Sequence, residues 1–165
     1  IGTFTFSYLT NDHIRMIIGL MAIIFCLDYY FRKDSDKPKK PSKFASYFWP
    51  SLSGFTSFSI HAGGLPLSFY LLPMRLDRTM YVATAGLFYL LINLFKIFPY
   101  AYLGEMNFEN IYTSLLLLPL APLGVYFGAY LVDKIGQDWF YKIGYFCTLL
   151  AGCKLFYDGS IKLFL

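Results

Sequence analysis

Charge is scarce in this sequence. Asp, Glu, Lys and Arg make up 15% of it, and none of them occurs between Trp49 and Leu72. A net charge of +4 is too small to argue for nucleic acid as a partner. Histidine occurs only as His13 and His61, without HExxH-type spacing, and acids are nearly absent from the apolar stretches. An intramembrane enzyme needs a positioned set of nucleophile, base and ligands, and too few candidates are present to build one. No metal set and no cofactor are expected. Cys26, Cys147 and Cys153 are scattered through apolar segments without ligand spacing and read as small packing residues. The first ten residues lack a basic stretch and a cleavage site, so no signal peptide is expected among them.

What is abundant is apolar surface. The chain is 57% hydrophobic and 21% aromatic, with a mean hydropathy of +0.51. A soluble domain of this size could not bury so much, so the solvent must be lipid. Segments near 14–31, 80–98, 111–132 and 139–157 are long enough to span or nearly span a bilayer, which takes roughly 20 residues. The uncharged run at 48–72 is a fifth. The expected fold class is an all-α polytopic integral membrane protein.

An internal repeat organises these segments. "IGTFTFSYLTN" at 1–11 resembles "LGVYFGAYLVD" at 123–133, pairing Gly2 with Gly124, Tyr8 with Tyr130 and Leu9 with Leu131. Further on, Ile18-Gly19 pairs with Ile143-Gly144. The order of matches and the shared helix–turn–helix context predict a repeat. Residues 1–31 then form the end of a first transmembrane repeat, 32–43 a basic loop, and 44–165 a second repeat. A first-repeat counterpart of the glycine-rich break is expected upstream.

The loop "RKDSDKPKKPSK" at 32–43 holds six Lys or Arg and should be cytoplasmic. Phe44, Tyr47, Phe48 and Trp49 just after it fit an interfacial belt. The stretch 99–110 has two Glu and no Lys or Arg, and should face outside. Arg75 and Arg78 lie between. A full crossing by 48–72 would put them outside; a re-entrant hairpin turning at Gly63-Gly64 keeps every one of these basic residues cytoplasmic. From Gly64 to Leu72 is about 12 Å of helix, about half the hydrocarbon core. The hairpin also leaves an odd number of crossings per repeat, which inverts the second repeat relative to the first.

A broken helix in lipid leaves N–H and C=O groups without water. Gly63, Gly64, Leu65 and Pro66 break this one, and the break suggests an anion cradle. Proline near the first turn of a new helix loses nothing, and free amides at a helix N-terminus attract anions. Ser51, Ser53, Thr56, Ser57 and Ser59 lead into the break, as anion contacts or as small packing residues. His61 could donate to an anion when neutral or couple proton movement when protonated; it could equally be a satisfied interior histidine. On the next segment Tyr89, Asn93, Lys96 and Tyr100 share one face at spacings of four, three and four, and Gly86 continues the stripe. Lys96 either neutralises the anion or snorkels to the membrane surface. Asn93 on the same face tilts the balance toward the first. Asp28 should pair near the basic loop. Pro119 and Pro122 are expected to kink the 111–132 helix.

The run "GFTSFSIHAGGLPLSFYLLPMRLDRTMYVATAGLFYLLINLFKIFPYAYLGE", with its glycine break, Leu72-Pro73, "NLFK" and "PYAYLG", resembles the second half of the sulfite exporter TauE/SafE family of permeases. "LPLAPLG" and "GAYL" are similar to that family's next helix. The resemblance implies a multi-pass transporter of the bacterial inner (plasma) membrane for small anions: sulfite, sulfonates or related organosulfur anions. Gly63, Gly64 and Pro66 match its break, and Asn93 and Lys96 its polar pair. Glycine is common in the family where His61 stands, and a second proline where Leu65 stands. The partners implied are the lipid bilayer and a small inorganic or organic anion, with room for a homodimer and no nucleic acid. The alternative function is a structural or assembly subunit of a membrane complex.

Overall fold

The computed structural model describes residues 10–31, 37–102, 112 and 117–164. Among them are six α-helices and one short 3₁₀ turn. They are α1 (Asn11–Phe31), α2 (Lys43–Ile60), α3 (Gly64–Leu71), the turn Leu72–Met74, α4 (Arg78–Tyr102), α5 (Leu120–Lys134) and α6 (Gln137–Phe164). The repeat matches within 1–9, part of the basic loop at 32–36 and most of the acidic stretch at 103–110 lie outside the described residues. Two compact units form, one from Ile1–Leu76 with Tyr141–Leu165, the other from Asp77–Phe140.

In the first unit, α1 buries a stripe of Ile14, Ile18, Ala22 and Cys26, each four residues from the last, as one helix face requires. Ile14, Ile18 and Ala22 meet Ile60 of α2 and Leu65 and Phe69 of α3. The other contact of α1 is made through absent side chains. A Cβ on Gly19 would stand 2.4 Å from the Phe156 amide nitrogen and 2.7 Å from the Gly152 carbonyl oxygen. One on Gly152 would stand 2.6 Å from the Ala22 Cβ, and one on Gly159 2.7 Å from the Asp12 carbonyl. Near the other end, Cys26 Sγ donates to the Tyr145 carbonyl at 3.4 Å. Early residues of α1 thus meet late residues of α6, so the two helices run antiparallel. Lipid supplies no hydrophobic drive for helices to associate, so close backbone approach at small residues takes over that role.

The chain between α2 and α3 doubles back on itself. Ser42 caps α2 by accepting from the Ala45 amide at 3.2 Å. Tyr70 Oη donates to Ser46 Oγ at 3.3 Å, and the Lys39 amide donates to the Pro73 carbonyl at 2.9 Å. At the other end Ser53 Oγ donates to the Gly63 carbonyl at 2.7 Å. These bonds pair progressively later residues of one arm with earlier residues of the other, which is a helical hairpin. Reversal turns on His61, whose backbone is left-handed (φ 55°, ψ 26°), rather than on the glycine pair.

In the second unit, Asp77 starts α4 by accepting from the Thr79 amide at 2.9 Å, an N-cap bond. The Arg78 amide donates to Gln137 Oε1 at 3.1 Å, and its guanidinium donates to the Ile135 carbonyl. Part of the 111–132 segment lies outside the described residues, and the described part shows where its prolines stand. Pro119 is the N-cap of α5 (φ −64°, ψ −22°) and Pro122 lies in its first turn. Helix amides are unpaired there anyway, so both prolines fit the start of α5.

Two described helices, Asn11–Phe31 and Arg78–Tyr102, are long and apolar enough to cross a membrane. Only 6% of the most apolar stretch of α4 is buried; this helix presents apolar side chains on nearly every side, which a water-soluble surface does not do. At 28 residues, α6 is long enough, but its lysines and tyrosines leave it less apolar than those two.

Candidate functional site

The candidate site is the tip of the hairpin, built by a change of backbone hand. Histidine tolerates the left-handed region better than most side chains, and a left-handed residue commonly ends a helix. The His61 and Ala62 amides both donate to the Thr56 carbonyl. His61 itself is exposed, Ala62 partly so, and Gly63 buried. The next helix starts at Gly64, which is exposed again. In its first turn the Leu65 amide reaches the Ala62 carbonyl only at 3.4 Å, long for such a bond.

The predicted site residues separate by burial. Leu65 and Pro66 are buried in the core. Gly63 packs its Cα against α2: a Cβ there would stand 2.6 Å from the Ser57 Cβ and 2.7 Å from the Ser53 carbonyl oxygen. Its lack of a side chain therefore lets the two arms close. Ser57 is buried on the facing side. Of the polar run, Ser53 holds the tip, and Thr56 Oγ1 donates within its own helix to the carbonyls of Leu52 (2.9 Å) and Ser53 (3.3 Å). Ser59 Oγ is buried with no hydrogen-bond partner among the described residues. Open to an incoming molecule are His61 and Gly64.

Asn93 and Lys96 belong to the other unit. On α4 they share a face with Tyr89 and Tyr100; Asn93 is exposed, while Tyr89, Lys96 and Tyr100 are half-buried. Gly86 has open space where a Cβ would stand.

One cluster escaped the sequence reading, which used Arg75 only as a charge. Arg75 is left-handed (φ 49°, ψ 41°) and ends the 3₁₀ turn. Its Nη2 donates to Tyr29 Oη at 3.2 Å, and its guanidinium lies over the rings of Tyr29 and Tyr141, 5.9 and 4.8 Å from their centroids. Tyr29 stacks on Tyr145 with centroids 3.6 Å apart. Tyr141 Oη donates to the Leu76 carbonyl at 2.7 Å. The hairpin exit is thereby pinned to both α1 and α6. Tyr141 and Tyr145, one turn apart, were the available signal.

In the first unit, α1 and α6 meet a broken helical hairpin, a device found in membrane transport proteins. The chain belongs to the sulfite exporter TauE/SafE family, whose pattern matches residues 1–155. No curated protein and no solved structure matches it.

Proposed function

We propose that the chain works in a permease of the bacterial inner membrane that moves small anions, with sulfite, sulfonates or related organosulfur anions as substrates. In this reading the hairpin is re-entrant and its tip, from Ser57 through His61 to Pro66, receives the anion at the start of α3. For α4 the reading assigns Asn93 and Lys96 as an amide and a positive charge that an anion in transit meets. The observation that carries the reading is the 2.9 Å bond between the Lys39 amide and the Pro73 carbonyl. A segment whose two ends touch has not crossed a hydrocarbon layer about 30 Å thick, which supports a glycine break that points into the membrane. The antiparallel packing of α1 and α6 also supports inverted repeats, since equivalent helices related by an axis in the membrane plane must run in opposite directions.

Flux into proteoliposomes holding the full-length protein tests this. Labelled sulfite or a small sulfonate should move faster than through protein-free vesicles. Lys96→Gln should lower that rate at least about tenfold, as loss of a counter-charge that meets the anion does. Lys96→Arg should keep part of it, since charge survives while geometry changes. No flux above protein-free vesicles for any of these anions would favour a structural or assembly subunit. Wild-type flux in Lys96→Gln would leave this lysine snorkelling at the helix end.

A further inference from the structure

At the open end of the hairpin, opposite the tip, lies a cleft of about 190 Å³ lined by Lys39, Lys40, Trp49, Tyr70, Pro73 and Met74, among others. We infer that this cleft binds the phosphodiester headgroup of an anionic phospholipid. The inference rests on the membrane reading only in placing the loop at the bilayer surface, and does not depend on what is transported.

Four observations converge on it. First, the bond from the Lys39 amide to the Pro73 carbonyl fixes the strap over the cleft, so the two lysines are held there by backbone. Second, Lys39 and Lys40 are consecutive, exposed cations that both line the cleft. An anion there offsets their like charge, and lysine binds phosphate as a point charge. Third, the cleft lies within an aromatic belt. Phe44 and Tyr47 are 74% and 78% exposed, and Trp49 packs edge-on to Phe69 at 5.2 Å. Such rings set the depth of the headgroup layer, so the ligand met at this level is a lipid headgroup. Fourth, the volume is below that of pockets for drug-sized ligands, so it takes a headgroup and leaves the acyl chains outside. Basic clefts on the cytoplasmic side of membrane proteins recognise anionic lipids by these means.

Trp49 reports on its own cleft. With Trp139 and every tryptophan outside this sequence replaced by Phe in the full-length protein, reconstituted in bilayers, its fluorescence is quenched by dibrominated phosphatidylglycerol or dibrominated phosphatidylcholine. Quenching by the choline lipid reports that the chain is inserted, so failure of the membrane reading is seen separately. The expected result is preferential quenching by phosphatidylglycerol, falling about fivefold for each of Lys39→Gln and Lys40→Gln. Lys154→Gln, on α6, should keep the full preference. Equal quenching by the two lipids, or an undiminished preference in the double variant, overturns the proposal. Inorganic phosphate at concentrations that erase the preference would reassign the cleft to free phosphate and overturn the lipid assignment.

Discussion

At the scale of single residues, the hairpin depends on two positions that look alike in sequence and differ in physics. Gly63 and Gly64 are adjacent, yet only Gly63 is buried, with α2 atoms 2.6 and 2.7 Å from where its Cβ would be. Gly63→Ala should therefore destabilise the protein by about 1–3 kcal/mol, the usual cost of overpacking. Gly64→Ala should leave stability nearly unchanged, because Gly64 is exposed, and should lower anion affinity if the anion approaches the backbone there. His61 carries the left-handed turn. His61→Gly should stabilise by about 1 kcal/mol and His61→Val should destabilise by a similar amount or more, because a β-branched side chain resists that backbone. Unfolding of the four variants in detergent, with anion binding measured alongside, separates the roles. Equal destabilisation by the two alanines would remove the distinction between packing glycine and site glycine. The break itself was legible in the sequence from its Gly-Gly-Leu-Pro run. Which glycine packs was not, because that depends on the facing serines ten and six residues earlier, and no local pattern shows which way they turn.

At the scale of helices, α1 and α6 meet backbone to backbone through Gly19, Ala22, Gly152 and Gly159. Their helical character and apolar length were readable from composition. Their pairing was not, because small residues are spread through many segments here and only the fold selects those that meet. The contacts differ in kind, which gives a sharp prediction. A Cβ on Gly152 meets the side-chain Cβ of Ala22 at 2.6 Å, so Gly152→Ala should be partly rescued by Ala22→Gly. A Cβ on Gly19 meets the Phe156 amide at 2.4 Å and the Gly152 carbonyl at 2.7 Å. Those atoms are backbone, and no substitution removes them. Each single alanine should cost about 1–3 kcal/mol. The Gly152→Ala and Ala22→Gly pair should show a coupling of about 1 kcal/mol or more in a double-mutant cycle. Additive behaviour of that pair would mean the seam relaxes, and its close approach is not needed for stability.

At the scale of the whole molecule, the question is on which side of the membrane each connection lies. A crossing of 48–72 and a re-entrant hairpin place Leu76 on opposite faces. With the crossing, the basic loop and Arg75 are separated by a bilayer. With the hairpin they share one surface, and the bond from the Lys39 amide to the Pro73 carbonyl at 2.9 Å leaves no room for hydrocarbon between them. Charge bias points the same way, since it gathers Lys and Arg on the cytoplasmic side. The pinning of Arg75 between Tyr29 and Tyr141 adds a third constraint, because it ties the hairpin exit to α1 and α6. Single cysteines in a background with every native cysteine removed, Cys26→Ala, Cys147→Ala and Cys153→Ala among them, test the arrangement. Pro38→Cys and Leu76→Cys should react with an impermeant maleimide from the same side of sealed vesicles, and Gly104→Cys from the other. Cys26 is buried, donating to the Tyr145 carbonyl, and alanine keeps that position small, so the background should still insert. If Leu76→Cys reacts from the side opposite Pro38→Cys, with Gly104→Cys on the side of Pro38→Cys, the segment crosses the bilayer. The glycine break would then be a kink in a spanning helix, and the anion would have to meet it from within the bundle rather than at the tip of a hairpin.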